Sequence, residues 1–239
     1  MPDNPQNRLL VALSADAYAL LKPHLTRVML EQDAVLYEEG DPLTTAYLPE
    51  TAVVSFVTRM NDGSVIETAS VGREGAIGFV GALATSAAIR RSIVQLSGEA
   101  LAIHVDRVRD AAAQSREIRD LSMWYSAVFI AHMHQLVACN ARHGIEQRLA
   151  RWLLQFYERA GSTQLPLKQE FLAQMLGVQR PTVSLTANAL QRRRLITYRR
   201  GKLEIRDPAG LRRAACECYQ KMRDAESGLP RVSPSERPG

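Results

Sequence analysis

The stretch QEFLAQMLGVQRPTVSLTANAL, residues 169–190, restricts the chain more than any other. Two short helices that cross closely need a small residue at the crossing. They also need a turn former shortly after it and a buried apolar residue beyond the turn. Ala173, Gly177 and Val183 stand at those places. Ala173 permits close approach, and Gly177 suits the left-handed conformation that ends a helix. Pro181 fits the first turn of a second helix, where a missing N–H costs nothing. Leu172, Met175, Leu176, Val178 and Leu190 complete an apolar interior. The pattern predicts a helix-turn-helix.

The next segment, LITYRRGKLEIRD, reads as two short strands, Leu195 to Tyr198 and Leu203 to Ile205. Arg199, Arg200, Gly201 and Lys202 form the turn between them. Two strands after a helix-turn-helix make a wing, and a basic tip suits phosphate or minor-groove contact. The plain alternative is a solvated hairpin. Charge favours the first reading. Residues 1–144 carry 12 Lys/Arg and 16 Asp/Glu, a net −4, whereas residues 145–239 carry 18 and 9, a net +9. One half is suited to a polyanion and the other is not.

Hydrophobic residues at 46% and charged residues at 23% exclude a wholly disordered or collagen-like chain. No apolar run approaches the roughly 20 residues of a membrane-spanning helix. The start, Met1-Pro2-Asp3-Asn4, lacks the pattern of a secretory signal. Three cysteines, at 139, 216 and 218, give no disulfide framework. A cytoplasmic protein with no membrane partner is the expectation.

Residues 8–30 read as one or two short helices interrupted by Pro23. From Ala34 to about Val105 the texture turns to short runs rich in Val, Ile, Tyr and Thr, with Asp62-Gly63 as a hairpin signal. This predicts a small barrel or jelly roll. From Asp106 to Gly161 the chain reads as helical, with Gly144 as a break or hinge. Leu121, Tyr125, Val128, His132, Gln135 and Cys139 follow a coiled-coil seam, and Leu121, Trp124, Val128, Ala131 and Gln135 fit nearly as well. The first five of the former set are the candidate subunit-pairing residues. The Pro- and Ser-rich segment 228–239 is expected to be a disordered tail.

Residues about 15–225 resemble the Crp/Fnr superfamily of bacterial transcription regulators. VLYEEGDPLTTAYLPETAVVSFVT and ASVGREGAIGFVGAL are similar to its cyclic-nucleotide-binding β-roll, and LAQMLGVQRPTVS and ITYRRGKLEIRD to its winged helix-turn-helix. The resemblance implies an α+β chain: a sensor β-roll over 1–105, a dimerisation helix over 106–143 and a winged helix-turn-helix over 144–227. It implies a homodimer reading an inverted repeat, with double-stranded DNA and RNA polymerase as partners. The DNA-contacting residues carried over are Lys168, Gln179, Arg180, Thr182, Ser184, Arg199, Arg200 and Lys202. Arg180 suits bidentate contact with guanine. Where the catabolite-activator type has Glu and Arg at base-reading positions, this chain has Pro181 and Leu185, so a different operator is expected.

The family's nucleotide pocket has Gly-Glu-Leu followed by Arg-Ser or Arg-Thr. The nearest match here comprises Gly78, Phe79, Arg90, Arg91 and Ser92. Phe79 stands where the ribose-binding Glu is expected, and an apolar ring cannot satisfy a buried hydroxyl. Cyclic AMP is therefore not the expected effector, whose identity stays open. An iron–sulfur cluster of the Fnr type fails for want of N-terminal cysteines. Cys216 and Cys218, as CxC in a helical context, should point to different faces, as should His132 and His134. No metal is expected, although His132, His134, Cys139 and His143 keep a haem reading open. No nucleophile elbow, phosphate-binding Gly loop or HExxH occurs, so no enzyme is expected. The competing function is a small-molecule-binding regulatory or adaptor protein whose main partner is another protein.

Overall fold

The structure is a computed structural model that describes residues 5–84 and 87–228. The tail expected to be disordered lies, beyond Gly228, outside the described residues.

Two short helices, α1 (Arg8–Val11) and α2 (Ala15–Leu21), open the chain. Ser14 caps α2 and is itself held by Glu117, 2.6 Å from its hydroxyl. The helical reading of 8–30 fails at its end. Pro23 sits in a 3-10 turn, and Thr26–Leu30 forms strand β1. The strands that follow are β2 (Val35–Tyr37), β3 (Thr45–Pro49), β4 (Val53–Arg59) and β5 (Val65–Val71). Helix α3 (Phe79–Ala84) precedes β6 (Arg91–Leu96) and β7 (Gly98–His104). All pair antiparallel, in two sheets of order β1-β7-β3 and β2-β6-β4-β5. The β4–β5 hairpin turns at Asp62-Gly63, where Asp62 Oδ1 accepts from the Ser64 N–H at 2.9 Å.

The long helical stretch is divided. Helix α4 (Val105–Gln114) and helix α5 (Arg116–Arg142) meet at Ser115, which is extended. Ser115 ends one helix through its N–H and caps the next through its hydroxyl. Helix α6 (Ile145–Ala160) begins after Gly144. Strand β8 (Gln164–Leu165), α7 (Gln169–Leu176), α8 (Arg180–Arg192), β9 (Ile196–Arg199) and β10 (Lys202–Ile205) follow. Helices α9 (Pro208–Ala214) and α10 (Cys218–Ser227) complete the described chain.

Strand β4 reads Val-Val-Ser-Phe-Val, apolar on both faces, and both faces are covered. Val54 and Phe56 face the core of the roll. Val53 and Val57 face a second core shared with Trp152, Phe156 and α7. The roll and the C-terminal helices are thus packed through one sheet. Buried polar groups fix that packing: Trp152 Nε1 donates to Glu67 at 2.9 Å, and Arg159 lies 2.7 Å from Glu74.

Candidate nucleic-acid interface

Helices α7 and α8 cross as the sequence predicts. Ala173 and Val183 are buried, and the Val178 N–H donates to the Ala173 carbonyl at 3.0 Å. Gly177 ends α7 in the left-handed region, at φ +62°, where a side chain would be strained. Arg148 donates to the Leu176 carbonyl at 2.5 Å and so answers an otherwise orphaned helix-end acceptor. Pro181 occupies the first turn of α8.

The start of α8 stands clear of the protein. Gln179, Arg180, Pro181 and Leu185 are exposed, Leu185 at 71%. Thr182 and Ser184 are half-buried. Arg180 Nε lies 3.1 Å from Glu170 Oε1, with both side chains mostly in solvent. Ser184 donates its hydroxyl hydrogen to Gln169 Oε1 at 2.6 Å, so it first serves to hold α8 to α7.

Beside this helix, β8, β10 and β9 form a three-stranded sheet with a hairpin wing. Arg200 and Gly201 both have positive φ, +51° and +75°, as a two-residue type I′ turn requires. The Lys168 side chain runs close to that turn. Lys168, Arg199, Arg200 and Lys202 therefore share one edge, and none has an ion-pair partner among the described residues. The third strand, β8, escaped the sequence reading because two residues are too few to show a period.

The expected pairing residues on α5 lie against other parts of the same chain. Leu121, Tyr125 and Val128 are buried, the first two in the core of the roll. The Tyr125 hydroxyl accepts from the Ala76 N–H at 3.1 Å. His132 meets the Met222 carbonyl at 2.9 Å, and Gln135 donates to Cys218 Sγ at 2.9 Å. All five face this chain's own roll and α10. The opposite face of α5 is open: Met123 (67% exposed), Ala127, Ile130 (53%), His134, Val137 (70%) and Ala141.

In the sensor half, Gly78 and Phe79 lie at the start of α3, with Phe79 buried in the roll. Arg90 pairs with Glu39 at 3.0 Å, and Arg91 lies 3.3 Å from Glu38. Ser92 is buried on β6, and its hydroxyl has no hydrogen-bond partner among the described residues. The CxC reading also changes. Cys216 lies in the link before α10 and Cys218 is that helix's first residue, so the divergence expected on a continuous helix does not arise.

Residues 147–214 match the family model described as a Crp-like helix-turn-helix domain. No curated protein sequence matches the chain. Among solved structures, FixK2 from Bradyrhizobium japonicum superposes with a TM-score of 0.68 at 16% identity, covering 80% of this chain and 98% of that one. A Crp/Fnr-family putative transcriptional regulator from Eubacterium rectale gives 0.65 at 15% identity, covering 86% and 96%. The c-di-GMP-responsive global regulator CLP of Xanthomonas campestris gives 0.63 at 16% identity, covering 80% and 99%. The chain thus has the fold of these Crp/Fnr-family structures, and its residues 147–214 form a Crp-like helix-turn-helix domain.

Proposed function

We propose that this chain is a sequence-specific transcription regulator that binds an inverted-repeat operator as a homodimer. The observation that carries the reading is the exposed start of α8 beside an unpaired basic wing. Arg180 leaves Glu170 to take guanine O6 and N7, and Gln179 and Thr182 meet neighbouring bases or phosphates. Leu185, the most exposed apolar side chain of α8, offers contact to a thymine methyl. Lys168, Arg199, Arg200 and Lys202 neutralise phosphates along the flank.

The second copy packs on the open face of α5. Met123, Ala127, Ile130, His134, Val137 and Ala141 repeat at spacings of four and three, the period of a coiled-coil seam. Pairing there leaves the buried face free to hold the roll. Phe79, buried and apolar, supports an effector other than cyclic AMP. Among the described residues no helix is long and apolar enough to cross a membrane.

The test is selection of random duplex DNA by the purified protein, read by sequencing. The expected product is an inverted repeat with half-sites about 10–10.5 base pairs apart, centre to centre. Salt-sensitive binding with no enriched sequence would overturn the specific reading. Failure to bind DNA at all would favour the adaptor reading.

A further inference from the structure

The C-terminal end of α5 and the α9–α10 link bring together four side chains that the DNA-binding reading does not use. Cys139, Cys216 and Cys218 are buried and form a cluster of their own, apart from both hydrophobic cores. His143 caps the end of α5 beside them. Cys139 Sγ lies 3.5 Å from Cys216 Sγ, and Cys218 Sγ lies 3.5 Å from His143 Nδ1. All four donor atoms fall within 4.8 Å of one another. We infer that Cys139, His143, Cys216 and Cys218 form a closed tetrahedral site for a structural zinc ion.

The donor set and the geometry agree. Zinc prefers thiolate sulfur and imidazole nitrogen in four-fold coordination, and zinc–sulfur bonds of about 2.3 Å put sulfurs about 3.8 Å apart in a tetrahedron. His143, the C-cap of α5, follows Cys139 by four residues, and its N–H donates to the Cys139 carbonyl at 3.0 Å, which keeps the two side by side. Cys216 and Cys218 can share a target because only Cys218 is helical. The surroundings are those of a metal site as well. His143 Nε2 lies 3.2 Å from Glu217, the carboxylate–histidine arrangement that orients a metal ligand. Gln135 donates to Cys218 Sγ at 2.9 Å.

A disulfide accounts for less. It would join Cys139 to Cys216 and leave Cys218 and His143 aimed at nothing. Zinc uses all four. Its entry releases the three thiol protons to solvent and leaves a single net negative charge, which Arg148 and Arg151 offset. Four protein ligands leave no open position, so the site is structural rather than catalytic. Two ligands precede Gly144 and two follow the wing, so the ion clamps the end of the C-terminal domain to the helix on the other side of the hinge.

The test uses the full chain, purified under reducing conditions without chelator. Elemental analysis should find about one zinc per chain, reduced to background in a Cys216→Ser/Cys218→Ser double variant and kept in His24→Ala. Stripped wild-type protein titrated with Co2+ should show thiolate-to-cobalt charge transfer and tetrahedral visible bands, both removed by added Zn2+. This second measurement decides if the double variant fails to fold. Wild-type protein with neither zinc nor a cobalt–thiolate spectrum overturns the site, whether thiol counting then finds a Cys139–Cys216 disulfide or three free thiols. Zinc retained by a folded double variant overturns it equally.

Discussion

Arg180 and Arg200 are both exposed arginines of the basic face, yet the proposed function gives them different work. Arg180 opens α8, aimed by the helix, with Glu170 3.1 Å away as its resting partner. An arginine fixed at a helix start can present its planar fork to one base. Arg180→Ala should weaken binding to the selected operator by about 1–3 kcal/mol and relax preference at one base pair in each half-site. Arg200 sits on the wing turn with nothing to orient it toward a base edge. Arg200→Ala should weaken all sequences alike and lower the log affinity–log salt slope by about 1. Binding curves on matched and mismatched duplexes at several salt concentrations separate the two. Equal loss on every duplex for Arg180→Ala would remove its reading role.

Helix α5 carries two seams of the same period on opposite faces, offset by two residues. One is Leu121, Tyr125, Val128, His132, Gln135 and Cys139, and the other is Met123, Ala127, Ile130, His134, Val137 and Ala141. A spacing rule finds both and cannot say which meets a partner. The structure sets the first against the roll and α10, and the second is the one proposed to meet another copy. Ile130→Glu with Val137→Glu should yield folded monomer in sedimentation, whereas Leu121→Glu should unfold the roll, because it buries an unpaired charge. A dimer that survives the double change would place the interface elsewhere. The same contrast explains what was legible. The helix-turn-helix and wing were readable because close crossing, a left-handed end and a tight turn each demand particular residues, here Ala173, Gly177 and Arg200-Gly201. The antiparallel roll followed from strand texture. Strand β1 was missed because Thr26–Leu30 owes its form to pairing with β7, which no local pattern reveals. The break at Ser115 was hidden because serine is also tolerated within helices. The convergence of Cys139, His143, Cys216 and Cys218 joins segments about 75 residues apart, and only the fold brings them together.

At the scale of the whole molecule, one largely buried charge network, with Arg8 at its exposed rim, ties the chain's beginning, middle and end. Arg159 of α6 lies 2.7 Å from Glu74 and donates to Ser70 Oγ at 2.6 Å. Glu226 of α10 joins the same network, with Arg8 3.5 Å away and His132 3.6 Å away. Burial, reinforced by the charge of Glu74, pushes the Glu226 carboxyl up to about 7, against the pull of Arg159 and Arg8. Between the ordinary carboxylate range and about 7 the native state therefore holds a proton that the unfolded chain has released. Stability must fall as pH rises through that window and level off above it. Burial lowers the pKa of His132, which gives the opposite slope: the unfolded chain takes up its proton first, and stability is lost as pH falls below about 6.5. The two trends overlap, so the wild-type profile alone is ambiguous and the difference from a variant is decisive. Glu226→Gln keeps the shape and removes the ionisation. It should gain on wild type as pH rises from about 5 to 8, by about 2–3 kcal/mol at the upper end. Urea unfolding at fixed steps of pH measures the difference directly. Parallel profiles for the two proteins would mean that Glu226 ionises as freely in the folded chain as in water. The N-terminal segment, the roll and the C-terminal helix would then lack the shared electrostatic contact that this network assigns to them.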